Sequence, residues 1–269
     1  MAMRWLSSIC LFYLSAFLLL AKDESIPKKA WSILELGLHD KKTEKRAQAV
    51  SALGLMANDK RAIQTAEQAL QDPDPDVRRA AIKALGDMNA KSSLPQIKTL
   101  AEHADAKTVV AIAAVLAKFK DPEGYDIYYQ LLTGKRKSGD SVLDGIRDRN
   151  AIEKMGIESA IGFLPGGSIG TGAYDYFKHN DQSNIDVTAV NELVHDPDPV
   201  VSKALVQSAF NGKEAVQLAA LTALAKRDDA SVVDQIEPGM YSSKPLISYT
   251  TAAAVLHLLN VPAKQRVRR

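Results

Sequence analysis

The sequence predicts an all-α protein, an α-solenoid (superhelix) of stacked helix-turn-helix repeats that is interrupted by an irregular central insertion. Three observations predict this class. A helical pattern recurs every 31 to 32 residues, and no convincing strand pattern occurs anywhere in the 269 residues. The chain has 38 alanines, of which only four lie in residues 118–203. Self-similarity at such a period is the signature of a repeat architecture.

The recurring unit is a helix with a narrow apolar face. Residues 76–86 (DVRRAAIKALG) place apolar side chains at i, i+3, i+4, i+7 and i+8, namely Val77, Ala80, Ala81, Ala84 and Leu85. Similar patterns recur at residues 44–54, 107–117, 216–225 and 249–256. Because small alanine side chains let a neighbouring helix approach closely, we expect these helices to stack on one another.

A second helix is predicted to follow each of these first helices in the N-terminal part of the chain. Such helices begin after Asp59, after Ser93 and after Asp121. The linker in residues 72–75 (DPDP) recurs in residues 196–199, and an Asp cap followed by proline is a typical helix start. A helix pair of this size cannot bury its apolar faces alone, so the pairs are expected to stack into a solenoid.

The run DPDVRRAAIKALG in residues 74–86 resembles the HEAT-like repeat of the phycobilisome-lyase type. The resemblance covers roughly residues 40–135 and 196–259. It implies a curved scaffold whose second helices line the concave face. It also implies structural roles between repeats for Asp76 and Arg78, and for these two only. The third repeat carries Lys107 and Val109 at these positions, and the copy near residue 200 carries Val200 and Ser202.

Residues 1–21 are predicted to be a signal peptide. Residues 1–4 carry one positive charge, residues 5–21 carry none, and Lys22 restores polarity. Cleavage after Ala21 predicts an exported protein, periplasmic or extracellular. The alternative is an uncleaved membrane anchor formed by residues 5–21, since 17 apolar residues lie at the lower limit of a bilayer span. The single cysteine, Cys10, lies in this segment, which excludes a disulfide framework.

The rest of the chain divides into four predicted parts: N-terminal repeats in residues 22–136, an irregular repeat with an insertion in 137–195, C-terminal repeats in 196–260 and a basic tail in 261–269. Six of the 15 glycines lie in residues 156–172. This run lacks the Lys-Ser/Thr ending of a P-loop and follows no strand, so a turning surface loop is favoured over a phosphate site.

Aromatic residues concentrate in the same region. Such side chains are common at binding surfaces because they combine a large contact area with a polar tip. The predicted partner-binding residues are Tyr125, Tyr128, Tyr129, Phe163, Tyr174 and Tyr176. The first three fall on a predicted second helix, so at least one is expected to face the concave side. The alternative is that these residues fill the wider gap beside an irregular repeat.

Neither an enzyme nor a metal or cofactor site is expected from the sequence. The five histidines show no metal-ligand spacing, and no Gly-x-Ser-x-Gly motif occurs. A net charge of +2 is too small to favour nucleic acid or an anionic membrane as partner. The predicted function is an exported scaffold that binds another protein. The alternatives are a lyase or cofactor chaperone related to bilin lyases, which the resemblance alone suggests, and a membrane-tethered structural protein.

Overall fold

The computed structural model describes residues 25–133 and 181–261, and the regular structure within these two ranges is entirely helical. Short 3₁₀ turns connect some of the helices, at Lys91–Ser93, Leu100–His103, Ala230–Val232 and Glu237–Tyr241. The predicted all-α class is therefore confirmed. The α-helices are α1 (Ile26–Leu38), α2 (Thr43–Leu53), α3 (Lys60–Ala69), α4 (Pro75–Asp87), α5 (Leu94–Thr99), α6 (Ala106–Lys118), α7 (Pro122–Thr133), α8 (Asp181–Leu193), α9 (Pro199–Asn211), α10 (Glu214–Lys226), α11 (Val233–Ile236) and α12 (Pro245–Asn260).

Aspartate side chains start several of these helices, as the linker sequences predict. Asp74 accepts the backbone N–H of Asp76 at 2.8 Å, and Asp198 accepts that of Val200 at 2.8 Å. A proline occupies the first position of both α4 and α9. Each cap satisfies a donor that the helix cannot satisfy internally, so the two DPDP linkers form the same local structure.

A left-handed turn follows four of the first helices. Asn58, Asn89, Lys120 and Asp228 have positive φ angles of 63°, 59°, 60° and 54°. The first three lie at intervals of 31 residues. This conformation stops a helix and reverses the chain, and it is uncommon for residues other than glycine and asparagine. Its recurrence shows that the repeats share one turn geometry.

The first helices form a continuous row through the middle of the molecule. In packing order α10 contacts α12, α12 contacts α2, α2 contacts α4, and α4 contacts α6. Other helices pack on this row: α3 on α2 and α4, α7 on α6, and α8 and α9 on α10. Residues 247–256 of α12 are all buried, and most of α10 is buried too. Helices that are apolar on all sides belong in the interior of an array.

The C-terminal helix α12 packs on the N-terminal repeat, which joins the two described ranges into one array. It contacts both α1 and α2. At this junction a Cβ on Gly37 would lie only 2.5 Å from the Tyr249 ring and 2.8 Å from the Ala49 Cβ. Asn260 also donates to the Asp59 carboxylate at 3.0 Å. As a result α1 and α12 meet inside the array, whereas α7 and α8 lie towards its two ends.

The row of first helices is bent. The Lys226 ammonium, at the end of α10, lies within electrostatic range of Asp87 on α4 and Lys118 on α6, although α12 and α2 separate these helices in the row. The expectation that the second helices line the concave face stays a prediction.

Candidate binding surfaces

Three exposed tyrosines lie on α7, the helix that packs on α6 at one end of the array. The exposed fraction is 58% for Tyr125, 37% for Tyr128 and 46% for Tyr129. These side chains occupy adjacent positions at i, i+3 and i+4 of the helix. We call this group the tyrosine face. Its exposure contradicts the alternative in which these three residues fill a gap inside the stack.

Close packing on α6 fixes the direction in which the tyrosine face points. Ile127 is buried, and a Cβ on Gly124 would lie 2.6 Å from the Ala117 nitrogen and 2.8 Å from the Leu116 Cβ. These two residues lie on the side of α7 opposite Tyr125 and Tyr129. Tyr125 and Tyr129 therefore point away from α6, and the expectation that at least one of the three tyrosines faces the concave side stays a prediction.

An ion-pair cluster holds the start of α7 against α5. The Lys98 ammonium lies 2.8 Å from an Asp121 carboxylate oxygen and 3.0 Å from a Glu123 oxygen. The Asp121 carboxylate beside it raises the pKa of Lys98, and the ammonium in turn lowers the pKa of Asp121. Within the face itself, partial burial raises the pKa of the Tyr128 hydroxyl. The face is thus a neutral aromatic surface on a well-anchored helix.

The other predicted partner-binding residues, Phe163, Tyr174 and Tyr176, lie outside the described residues, as do the glycine-rich run and residues 1–21. Asp76 and Arg78 are described. Asp76 pairs with Arg79 one turn along α4, and Arg78 donates to the carbonyl oxygens of Asp72 and Pro73, each at 2.9 Å. Arg78 therefore stabilises the linker that precedes its own helix, residues 72–75.

Arg46, which the sequence analysis did not single out, links two repeats. Its guanidinium donates two hydrogen bonds to the Asp72 carboxylate, at 2.9 Å and 3.0 Å. Arg46 precedes Arg78 by 32 residues, so the shift between repeats was a signal that could have found it. Of the two residues for which the resemblance implies a role between repeats, only the arginine has a counterpart in this contact.

A second candidate surface lies where the ends of α4, α6 and α10 converge. The Asp87 carboxylate accepts from the Lys83 ammonium at 2.5 Å and from the Lys118 ammonium at 3.4 Å. Lys226 adds a third ammonium within electrostatic range of all three groups. We call this group the lysine recess. No sequence signal indicated it, because its members lie up to 143 residues apart and meet only when the row curves.

The described part of the chain contains neither a metal-binding cluster nor a membrane-spanning helix. No three or more His, Cys, Asp or Glu side chains in residues 25–133 and 181–261 are grouped so that they could hold a metal ion. None of the helices within these ranges is both long enough and apolar enough to cross a membrane.

The comparisons with known proteins support the repeat assignment. The family model for HEAT repeats matches residues 32–118 and 65–137, which together make up less than half of the chain. No curated protein matches the sequence. Residues 32–137 therefore contain HEAT repeats, and the described structure is an α-solenoid. Proteins built from such repeats commonly serve as scaffolds for protein interactions, because stacking creates an extended binding surface.

Proposed function

We propose that this protein is a non-enzymatic scaffold that holds another protein against the tyrosine face of α7. The observation that carries the proposal is the exposure of three tyrosine rings side by side on one helix at the end of the array. Tyrosine is enriched at the energetic centres of protein interfaces, because it buries a large area with few rotatable bonds and retains a polar hydroxyl.

The anchoring of α7 supports a binding role for this face. Ile127 and the Gly124 backbone fix the helix on α6, and the Lys98 ion pairs fix its start on α5. A partner would therefore meet side chains on a rigid support, which lowers the entropy lost on binding. The absence of catalysis is part of the same proposal and rests on the lack of a catalytic motif in the sequence.

We also propose that the protein acts outside the cytoplasm, in the periplasm or beyond. The proposal rests on the pattern of residues 1–21 and on the lack of any cysteine after Cys10, since an unpaired thiol is a liability in an oxidising compartment. The narrower resemblance of residues 74–86 to phycobilisome-lyase repeats supports a lyase or cofactor chaperone only by analogy of fold, which does not carry function.

Site-specific photo-cross-linking tests the scaffold function. A photoreactive phenylalanine analogue replaces Tyr125 or Tyr129 in the protein expressed in its native host, and it replaces Tyr241 as the matched control. Tyr241 is also an exposed tyrosine, at 62%, but it lies on a 3₁₀ turn away from α7. We expect one adduct of defined mass from positions 125 and 129 and none from position 241. The intact mass of the same protein is expected to show a mature start at Lys22.

The partner identified in that adduct then permits a quantitative measurement. Replacing both Tyr125 and Tyr129 by serine should weaken binding of the purified partner by about tenfold or more, the usual effect of removing central aromatic contacts. The Tyr241→Ser variant should bind as the unaltered protein does. Equal cross-linking at all three positions, or equal affinity of all variants, would refute a partner site on the tyrosine face.

A further inference from the structure

A carboxylate lies beside the rings of the tyrosine face. Asp126 is exposed, and on the helix surface Tyr129 lies one turn after both Tyr125 and Asp126. These three residues share the side of α7 that points away from α6. Within residues 25–133 and 181–261 the Asp126 carboxylate forms no hydrogen bond or ion pair. An exposed carboxylate that has no partner in that part of the chain therefore adjoins two exposed aromatic rings.

The charges at the start of α7 are mostly negative. The Lys98 ammonium is shared between the carboxylates of Asp121 and Glu123. Lys120, in the turn before α7, is exposed and pairs with none of these carboxylates in the described structure. Even with both lysines counted, three carboxylates lie beside two ammonium groups, since Asp126 adds to the first two. A cationic ligand is therefore favoured at this face over a neutral or an anionic one.

The same combination of groups already binds an arginine elsewhere in this molecule. On α1, Trp31 and Glu35 lie one turn apart. The guanidinium of Arg61, from α3, lies 3.9 Å from the centroid of the Trp31 ring and pairs with the Glu35 carboxylate, although both charged side chains are about half exposed. An aromatic ring and a carboxylate one turn apart thus form an arginine site on the surface of a helix. Tyr129 and Asp126 have this relation on α7, and no described arginine pairs with Asp126.

We propose that the partner segment bound by the tyrosine face contains an arginine, whose guanidinium pairs with Asp126 and stacks on the tyrosine rings beside it. This inference rests on the proposed function, because it names the chemistry of the partner at the same face. Arginine fits better than lysine, since its planar guanidinium donates to a carboxylate in a bidentate way and also lies flat on an aromatic ring. The Asp126 carboxylate supplies the specificity, and the rings supply the contact area.

Fluorescence anisotropy with labelled peptides tests the proposal on the purified protein. The probe is a glycine–serine peptide that carries several arginines, and its counterparts carry lysine or citrulline at the same positions. Citrulline keeps the planar shape of arginine but not its charge. We expect the arginine peptide to bind most tightly, the lysine peptide more weakly, and the citrulline peptide more weakly by about tenfold. Equal binding of the arginine and citrulline peptides would overturn the proposal.

Variants of the face then locate the arginine. Asp126→Asn should weaken binding of the arginine peptide by about two- to fivefold and reduce its sensitivity to salt, because one charge pair is lost. Tyr129→Ser should weaken binding by about the same factor through the loss of stacking. The matched controls are Asp234→Asn on α11 and Tyr241→Ser, both exposed and away from α7, and each should bind as the unaltered protein does. If Asp234→Asn weakens binding as much as Asp126→Asn does, the attraction is non-specific and the proposal is wrong.

The other candidate occupant of the face is a basic run of the chain itself, residues 135–137 (KRK). A tethered segment competes at a high effective concentration, so replacing this run by glutamine would raise the affinity for the arginine peptide if the run occupied the face. That gain would overturn the assignment to a partner, whereas an unchanged affinity supports it.

Cross-linking in the native host separates this proposal from the scaffold function on which it rests. The adduct from position 125 should be reduced in the Asp126→Asn background. An unchanged adduct there would leave the scaffold function intact but overturn the arginine contact. The lack of any adduct from position 125 in the otherwise unaltered protein would instead refute the scaffold function itself.

Discussion

At the scale of single residues, Arg227 shows how the array satisfies the carbonyl groups of a linker. Its side chain is only 4% exposed. The guanidinium donates to the carbonyl oxygens of Leu193 at 3.1 Å and Asp198 at 3.2 Å, to that of Asp196, and to the Ser202 hydroxyl at 3.2 Å. In the N-terminal half Arg78 donates to the carbonyl oxygens of Asp72 and Pro73, in the DPDP linker that precedes its own helix. The two DPDP linkers are thus bound by arginines from different positions in the repeat.

Replacing Arg227 by methionine should lower the free energy of unfolding by about 3 kcal/mol, because several partly buried carbonyl groups would lose a charged donor. Urea unfolding followed by circular dichroism measures the loss. Arg61→Met is the control: Arg61 stacks 3.9 Å from the Trp31 ring and pairs with Glu35, but its side chain is about half exposed. Its loss should stay at or below about 1 kcal/mol. Equal losses would contradict the role of Arg227.

At the scale of helices, the bidentate contact between Arg46 and Asp72 links α2 to the linker before α4. Both side chains are mostly buried, at 16% and 14% exposure. The guanidinium hydrogen bonds lower the pKa of the Asp72 carboxyl. In the next repeat the position of Asp72 is occupied by Ala104, so Arg78 has no equivalent carboxylate to pair with. There Arg79 pairs with Asp105 instead. The contact between repeats therefore changes from one repeat to the next.

The Arg46–Asp72 contact should stabilise the fold in a pH-dependent way. Because the folded pKa of Asp72 lies below its unfolded value, the contribution is present above the ordinary aspartate pKa of about 3.9 and is lost as the pH falls through the folded pKa. A double-mutant cycle with Arg46→Met and Asp72→Asn should give a coupling of about 1–3 kcal/mol at neutral pH. The coupling should vanish in strong acid. An unchanged coupling in acid would show that it does not depend on the Asp72 charge.

The sequence predicted those helical features that depend on near neighbours along the chain. The caps at Asp74 and Asp198 follow from local chemistry, and alanine spacing identified the helices that stack. The left-handed turn at Lys120 could not be predicted, because lysine does not favour that conformation. The approach of the ends of α4, α6 and α10 was also missed, because it joins residues that are far apart in the sequence.

At the scale of the whole molecule, the contact of α12 with α1 and α2 makes two segments of repeats into one solenoid. A solenoid is stabilised mainly by the interfaces between neighbouring repeats, so each interface affects the stability of both sides. Nothing in the sequence distinguishes the alanine face of α12 from those of the other first helices, so this junction could not be predicted. The contact of Gly37 with Tyr249 and Ala49 lies at the centre of this junction.

Replacing Gly37 by leucine tests whether the two segments form one cooperative unit. A side chain at this position would overlap the Tyr249 ring and the Ala49 Cβ, so α1 must move away from both α12 and α2. We expect a loss of about 2–3 kcal/mol, typical of overpacking a tight interface. Hydrogen exchange should show reduced amide protection in α2 and in α12 together. Leu36→Ala, a change at the neighbouring residue that is 74% exposed, should leave protection unchanged. A loss confined to α1 would instead show two solenoids that fold independently and only touch at this point.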